Sequence, residues 1–299
     1  MKRWSVLFLS LCLVLFSLGA AYASLDMDDS FLTINGTPLV IEVGNEGTLA
    51  VYVNGTHQYF SEDAWGSVLY LNYGVEGETA YGTSYFQYYT DYGVDLPFNA
   101  VSNDQVSSCD IQTILDAGDS GVRVVQEVTY IDGERYYKKT WNITNNGDVT
   151  WTNLRFLHGG DTYFGGDDAS QGYYDDNLNM VYLTNPDPSI DGIMGFYAHP
   201  LTPADHYEEG GYSIVCRNIA GGQLADTVEG SDVDAGYGLQ WNRGSLAPGE
   251  TWTIEAFEKW TEAGDLQVFA PADQECQAGE TVYYDFVIQN YYSSAMEVS

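Results

Sequence analysis

Tight two-residue turns are the feature that most restricts how this 299-residue chain can fold. They stand between short runs of alternating apolar and polar residues at Asn35-Gly36, Asn54-Gly55 and Asp132-Gly133. Both residues of such a turn adopt positive φ, a geometry that suits the twist of adjacent antiparallel strands. The turns therefore predict a succession of β-hairpins along the first half of the chain.

Residues 122–143 show the longest hairpin pattern. A two-residue turn at Asp132-Gly133 would place Glu127 directly opposite Lys138 on the neighbouring strand. Opposite charges that face each other across two strands stabilise the pairing. The spacing therefore predicts an ion pair between Glu127 and Lys138.

The following run, 149–158, changes the phase of its apolar alternation near Asn153. A phase change inside one strand predicts a β-bulge. No long window has the periodicity of an amphipathic helix, and only short helical turns are expected, at 113–117 and 225–229. The prediction for the chain is therefore an all-β fold, a large antiparallel β-sandwich.

The chain divides into three predicted parts. Residues 1–23 begin with basic Lys2 and Arg3, continue with an apolar run and end in Ala21-Tyr22-Ala23, the pattern of a cleaved signal peptide. Residues 24–263 form the sandwich domain, and 264–299 hold strands for only part of a further module. The apolar run is shorter than the ~20 residues of a membrane span, so we expect secretion to the extracellular space or cell surface.

Three cysteines remain after removal of the signal peptide. Outside the cytosol, Cys109 and Cys216 either form a disulfide or stay as buried thiols. Cys276 is then left over near the end of the chain.

Acidic residues dominate the charge. Without Lys2 and Arg3, eight Lys and Arg face 43 Asp and Glu, a net charge near −35. Nucleic acids and anionic membranes both require a basic surface, so this composition argues against either as a partner. Cations, a high-salt solvent and neutral polar polymers remain as partners or surroundings that suit the charge.

Two stretches resemble known families. Residues 38–73, PLVIEVGNEGTLAVYVNGTHQYFSEDAWGSVLYLNY, resemble the opening of galactose-mutarotase-like β-supersandwich domains, and 141–168, WNITNNGDVTWTNLRFLHGGDTYFGGDD, fit a later run of strands. The tail AGETVYYDFVIQN, 278–290, is similar to the first strands of Ig-like repeats of bacterial and archaeal surface proteins. The resemblance implies a supersandwich, but the catalytic Glu and His residues of the mutarotases have no matching motif here.

One glycine-rich acidic segment, 159–177, is a candidate Ca²⁺ site. Calcium takes six to eight oxygen ligands, and glycines permit the sharp turns that direct several carboxylates at one point. The predicted ligands are Asp161, Asp167, Asp168, Asp175 and Asp176. A second acidic stretch, 226–234, is a weaker candidate, and a solvated acidic loop is the alternative for both.

Aromatic residues beside the acidic segment are candidates for binding carbohydrate, because ring faces stack on the apolar faces of sugars. The predicted carbohydrate-binding residues are Tyr163, Tyr173, Tyr174 and His158. A second aromatic group is formed by Tyr81, Tyr85, Phe86, Tyr88, Tyr89, Tyr92 and Phe98. Half-buried strand tyrosines are the alternative interpretation.

Three functions are compatible with this sequence. The first is a non-catalytic secreted or cell-surface protein that binds glycans or other surface proteins, with Ca²⁺ as a stabilising ion. The second is a carbohydrate-active enzyme, a hydrolase, lyase or epimerase, although no nucleophile or metalloprotease motif is present. The third is a filament or layer subunit whose C-terminal strands pair with a neighbouring copy, as a homo-oligomer.

Overall fold

The computed structural model describes residues 31–72, 77–89 and 93–261, and the backbone of two short segments, 267–269 and 287–289. Within these ranges the chain consists mainly of β-strands, and the all-β prediction is confirmed. None of the described helices is long and apolar enough to cross a bilayer. The predicted signal peptide, 1–23, lies outside the described residues.

The first described strands form a separate antiparallel sheet, called the N-terminal sheet below. Its members are β1 (Leu32–Asn35), β2 (Leu39–Val43), β3 (Leu49–Val53) and β4 (Thr56–His57). The turn between β3 and β4 has φ of 50° at Asn54 and 83° at Gly55, as the Asn-Gly pair predicts.

Fourteen strands in the described residues form one large sheet. Its first members are β5 (Trp65–Asn72), β6 (Glu78–Gly82), β7 (Leu96–Pro97), β8 (Asn99–Ser107), β9 (Asp110–Asp116), β10 (Val122–Thr129) and β11 (Tyr136–Asn145). The others are β12 (Trp151–Asp161), β13 (Ala169–Asp175), β14 (Met180–Thr184), β15 (Met194–Ala198), β16 (His206–Gly211), β17 (Val233–Leu246) and β18 (Thr251–Trp260).

The large sheet has two arms that meet at β17. One arm runs β7-β6-β5-β12-β17, with β16 also paired to β17, and the other runs β13-β14-β15-β18-β11-β10-β9-β8. Only two residue pairs join them, Ala169 with Asp234 and Ser170 with Val233. This short junction lets the arms fold over one another as the two layers of a sandwich.

The main core fills the space between the layers and continues under the N-terminal sheet. Ile41 and Val51 of that sheet belong to the same buried cluster as Trp65, Trp141 and Trp241 of the two arms. All five side chains are at most 2% exposed. Because strand side chains alternate between faces, each layer supplies every second residue to this core.

Two helices cover the outer face of the first arm. They are α1 (Ser84–Gln87) and α2 (Tyr212–Ala220), and α2 buries Val215, Cys216 and Ile219 in a second core cluster. The helical turns predicted at 113–117 and 225–229 are wrong, because Asp110–Asp116 is β9 and 225–229 is irregular.

Cys109 and Cys216 are not disulfide-bonded. Cys216 is fully buried in the second core cluster, whereas Cys109 lies in the β8–β9 turn, where its thiol contacts Ser107 and Asp110. The structure therefore selects the thiol alternative for these two residues. Cys276 lies outside the described residues.

The β10–β11 hairpin is wider than a two-residue turn. Lys138 pairs with Thr129, and Glu127 pairs with Thr140. The predicted Glu127–Lys138 ion pair is wrong, and Lys138 forms its ion pair with Glu255 instead. The expected bulge is confirmed, because the β12–β5 register shifts between Thr152 and Arg155, around a positive φ at Asn153.

The C-terminal part is described only as two paired strands, β19 (Gln267–Phe269) and β20 (Val287–Gln289). Most of the predicted Ig-like module, 264–299, and the strands expected to pair with another copy lie outside the described residues.

Candidate functional site

The acidic segment 159–177 does not form a single loop. It contains the end of β12, a 3₁₀ turn at Phe164–Gly166 and all of β13. Asp168 and Asp175 lie at the two ends of β13, about 20 Å apart at the rise of an extended strand. Calcium–oxygen bonds are only about 2.4 Å long, so one ion cannot bind all five predicted ligands.

Asp161, the last residue of β12, is 2% exposed. Its Oδ1 atom has no hydrogen-bond partner in the described part of the chain, and the same holds for Oδ1 of Asp168. Burial above all, and then the charges of Asp234 and Asp168, raise the pKa of Asp161 to about 8. The carboxyl group is therefore protonated at neutral pH unless a cation compensates its charge.

Asp234 joins this group from the second acidic stretch. Asp161 pairs with Gly236 across β12 and β17, and Asp234 lies two residues from Gly236 on the same face of β17. Burial and the charge of Asp168 raise the pKa of Asp234. Separate segments of the sequence therefore contribute to one acidic group, Asp161, Asp168 and Asp234.

The other predicted ligands stabilise local turns. Asp167 Oδ1 accepts a hydrogen bond from Ala169 N at 3.1 Å, and Asp175 Oδ1 accepts one from Asn177 N at 2.9 Å. The charge of Asp176 raises the pKa of the Tyr174 and Tyr207 hydroxyls, and its carboxylate therefore lies near this ring pair. Among the described residues, no three His, Cys, Asp or Glu side chains are arranged to hold a metal ion.

Calcium binding therefore stays a prediction, now centred on Asp161 and Asp168. We expect millimolar Ca²⁺ to raise the melting temperature by a few degrees, because an ion held only by the folded state stabilises it. Calorimetry with Ca²⁺ and with a chelator measures the effect. Asp161→Asn should remove the response and Asp175→Asn should keep it. A wild-type melting temperature that changes with neither Ca²⁺ nor chelator contradicts the prediction.

His158 lies inside the sandwich, which corrects its predicted position beside a sugar site. The side chain is 0% exposed, with Nδ1 2.8 Å from Ser67 Oγ and its ring 4.7 Å from the ring of Trp141. β12 continues three residues beyond His158 to Asp161, so the histidine is not at the end of its strand. It does not contact solvent.

The three predicted tyrosines do not share one surface. Tyr173 is 37% exposed and stacks on Tyr182 at 5.2 Å, whereas Tyr174, the next residue, faces the other side of β13 and stacks on Tyr207 at 3.5 Å. Tyr163 precedes the 3₁₀ turn near the opposite end of β13. Of these three tyrosines, Tyr173 is exposed, and Tyr163 and Tyr174 are half-buried.

A larger concave site lies elsewhere, in a cleft of about 1240 Å³ beside the N-terminal sheet. We call it the N-terminal cleft; the 60–63 segment, α1 and the start of β8 complete its walls. Its ring-bearing lining residues are Phe31, Tyr52, His57, Phe60, Tyr88 and Phe98. Tyr88 is 83% exposed and Phe60 is 56% exposed, unusually high for large apolar side chains.

Acidic groups complete the cleft. Glu46, Glu62 and Asp63 line it. Glu46 accepts a hydrogen bond from Ser84 N at 2.6 Å, so the β2–β3 turn is tied to α1 across the cleft. Sequence reasoning noticed the aromatic group that contains Tyr88 but missed the site, because its other walls come from residues 31–63.

His57 is the central polar ring of the cleft. It stacks on Tyr52 with centroids 4.8 Å apart, and its Nε2 has no hydrogen-bond partner among the described residues. Burial lowers its pKa, against a smaller opposing effect of the Glu62 charge. The ring is therefore neutral at pH 7, and its unpartnered Nε2 is shielded from solvent.

An ionisable cluster also lies deep in the core. Lys139 Nζ is 2.6 Å from Glu258 Oε1, and Tyr137 OH donates to Glu258 Oε2 at 2.6 Å, with Tyr59 OH as another partner. Lys139 and Glu258 are both 0% exposed, and Phe196 lies 4.2 Å from the ammonium group. Burial lowers the pKa of Lys139 and raises that of Glu258. This cluster is closed to solvent.

No protein-family profile matches the sequence. A bacterial glucoamylase complexed with acarbose is similar over 79% of this chain and 33% of its own, at 9% identity and a TM-score of 0.53. A putative aldose 1-epimerase from Escherichia coli K12 is similar over 78% and 99%, at 10% identity and a TM-score of 0.48. A galactose mutarotase-like protein from Lactobacillus casei is similar over 78% and 100%, at 8% identity and a TM-score of 0.44.

At such identities the similarity concerns the fold alone. The chain spans about one third of the glucoamylase, and that alignment supports a shared β-sandwich. The two-arm sheet and this alignment together show a large antiparallel β-sandwich fold.

Proposed function

We propose that this chain is a secreted, non-catalytic β-sandwich protein that binds glycans in the N-terminal cleft. The observation that carries the proposal is the pair of highly exposed rings, Tyr88 and Phe60, in a concave site that also contains carboxylates. Exposed rings in a concave surface offer flat apolar faces to sugars, while nearby polar groups bind the hydroxyls.

The geometry suits an extended ligand. The cleft, at about 1240 Å³, is larger than the 300–1,000 Å³ of ordinary small-molecule pockets. Its walls come from the N-terminal sheet and from α1, and the Glu46–Ser84 hydrogen bond holds these walls together. A preformed cleft loses less conformational entropy on binding than flexible loops would.

The fold adds support of a general kind. The glucoamylase with a similar sandwich was crystallised with acarbose, and another similar structure is described as a putative aldose 1-epimerase. Sandwiches of this kind therefore occur in proteins that act on sugars. Fold alone does not carry function to this chain, so the proposal depends on the cleft.

Secretion is part of the proposal and depends on the signal-peptide pattern of residues 1–23. The low Lys and Arg content and the strong negative charge suit a protein that works outside the cell, away from nucleic acids.

Replacement of the exposed rings tests the binding site. We expect Tyr88→Ala and Phe60→Ala each to weaken binding of a cleft-bound hexasaccharide by about tenfold, since one ring contact contributes ~1.4 kcal/mol. Isothermal titration against hexamers of glucose, mannose, galactose, glucosamine and N-acetylglucosamine measures the affinities. Leu201→Ala, an exposed apolar residue away from the cleft, is the control.

Two results would contradict this site. If glycan binding persists in Tyr88→Ala and in Phe60→Ala but is lost in Tyr173→Ala, the binding site lies at the Tyr173–Tyr182 pair. Absence of binding to every hexamer would reject glycan binding by the cleft.

A carbohydrate-active enzyme is the second candidate, favoured by one observation. His57 lines the cleft and lies close enough to Glu62 for that charge to affect its pKa. A neutral histidine and a carboxylate are the groups that general acid–base catalysis requires. Chromatography of the same hexamers after incubation distinguishes the two candidates, because an enzyme would convert a hexamer and His57→Ala would stop the conversion.

A further inference from the structure

All charged side chains that line the described N-terminal cleft are negative. Its carboxylates are Glu46, Glu62 and Asp63, and the described lining contains neither Lys nor Arg. Glu62 and Asp63 are both exposed at the rim. His57, the one basic ring in the lining, is kept neutral by burial.

Three cations in the described part of the chain pair with acids outside the cleft. Arg123 pairs with Asp116 at 2.8 Å, Arg155 pairs with Glu78, and Lys139 is buried against Glu258. The chain as a whole is also strongly acidic, with a formal net charge of −33. The net negative charge of the chain and the carboxylates of the cleft therefore both attract cations towards the aromatic walls.

From this charge and these rings, we infer that the cleft prefers glycans that carry ammonium groups, such as deacetylated amino-sugar polymers, over neutral and acidic glycans. This inference rests on the proposed function. The sugar ring stacks on Tyr88 or Phe60, and its ammonium group lies against the carboxylate of Glu62 or Asp63. Uronic acids and sulfated sugars are repelled by the same carboxylates.

Hexamers of glucosamine and of N-acetylglucosamine provide a matched pair of ligands. They share the same backbone and differ only in the charge of the amine. In mildly acidic, low-salt buffer we expect the glucosamine hexamer to bind about tenfold more tightly, because several weak exposed charge pairs can form along it. Added salt should reduce the preference, since it screens exposed charges.

Variants assign the preference to the cleft. Glu62→Gln should lower the ratio of the two affinities severalfold. Glu134→Gln, which removes an exposed acid on the β10–β11 turn, should leave both affinities unchanged. Tyr88→Ala should weaken both ligands equally.

The outcomes separate the inference from the proposed function. Equal or tighter binding of the acetylated hexamer, with loss of both ligands in Tyr88→Ala, overturns the charge preference and keeps glycan binding. A preference that Glu134→Gln reduces as much as Glu62→Gln shows a diffuse charge effect and also overturns the inference. Absence of binding by any hexamer rejects the proposed function itself.

Discussion

Replacing Glu258 by alanine should lower the free energy of unfolding by about 3–5 kcal/mol, because the change leaves the Lys139 ammonium group buried without its carboxylate. Lys139 is 0% exposed and is enclosed by the rings of Trp65, Trp141 and Phe196. Cation–π contacts with these rings replace only part of the lost interaction. Tyr137 and Tyr59 would also lose their shared acceptor.

Urea denaturation of the folded domain measures this effect. Glu255→Ala, which removes the partner of the partly exposed Lys138, is the matched control and should cost less than 1 kcal/mol. The double variant Lys139→Met with Glu258→Leu should recover most of the loss, since apolar residues of similar size often replace a buried ion pair without cost. A loss below 1 kcal/mol in Glu258→Ala would show that water reaches Lys139.

Asp161→Asn should make the fold more stable at pH 8 and almost unchanged near pH 4. The folded pKa of Asp161 is about 8, above the ordinary aspartate pKa of 3.8. Between these pH values the folded chain binds a proton that the unfolded chain releases, so stability falls as pH rises from about 4 to 8 and is constant above. At ~1.4 kcal/mol per pH unit, the full effect reaches about 6 kcal/mol.

Denaturation curves from pH 4 to 9, in the presence of chelator, test the Asp161 prediction. Wild type also contains Glu209, whose pKa burial raises to about 7, so the quantity to compare is the difference in slope between wild type and variant. Asp104→Asn, an exposed acid on β8, should leave the slope unchanged. Equal slopes for wild type and Asp161→Asn would mean that Asp161 is ionised in the folded state.

The sequence contains a pattern that indicates the buried Lys139–Glu258 ion pair. Lys139 shares its phase in β11 with Tyr137, Trp141 and Ile143, and all three are buried. Glu258 likewise shares its phase in β18 with buried apolar residues. A charge in the apolar phase of a strand indicates a buried ion, and two such strands side by side indicate a pair.

The acidic group and the cleft had no comparable signal. Asp161 and Asp234 are separated by much of the chain, and only the β12–β17 register brings them together. The cleft takes Phe60 and Glu62 from one stretch and Tyr88 from another. Because no local pattern encodes such distant contacts, the predicted ligand set combined Asp161 with Asp175, which lies at the far end of β13.

By itself, the sequence determined the strands, several hairpins and the bulge at Asn153, because alternation and turn chemistry depend on neighbouring residues. That its charge disfavours nucleic acids and anionic membranes as partners stays a prediction. Only the tertiary structure decided that His158 is a core residue and that Tyr88 lines a cleft. It also decided that Tyr173 stacks on Tyr182 on one side of β13 and Tyr174 stacks on Tyr207 on the other. The physical reason is that strand register and layer packing, set by the whole core, determine which side chains meet and which reach solvent.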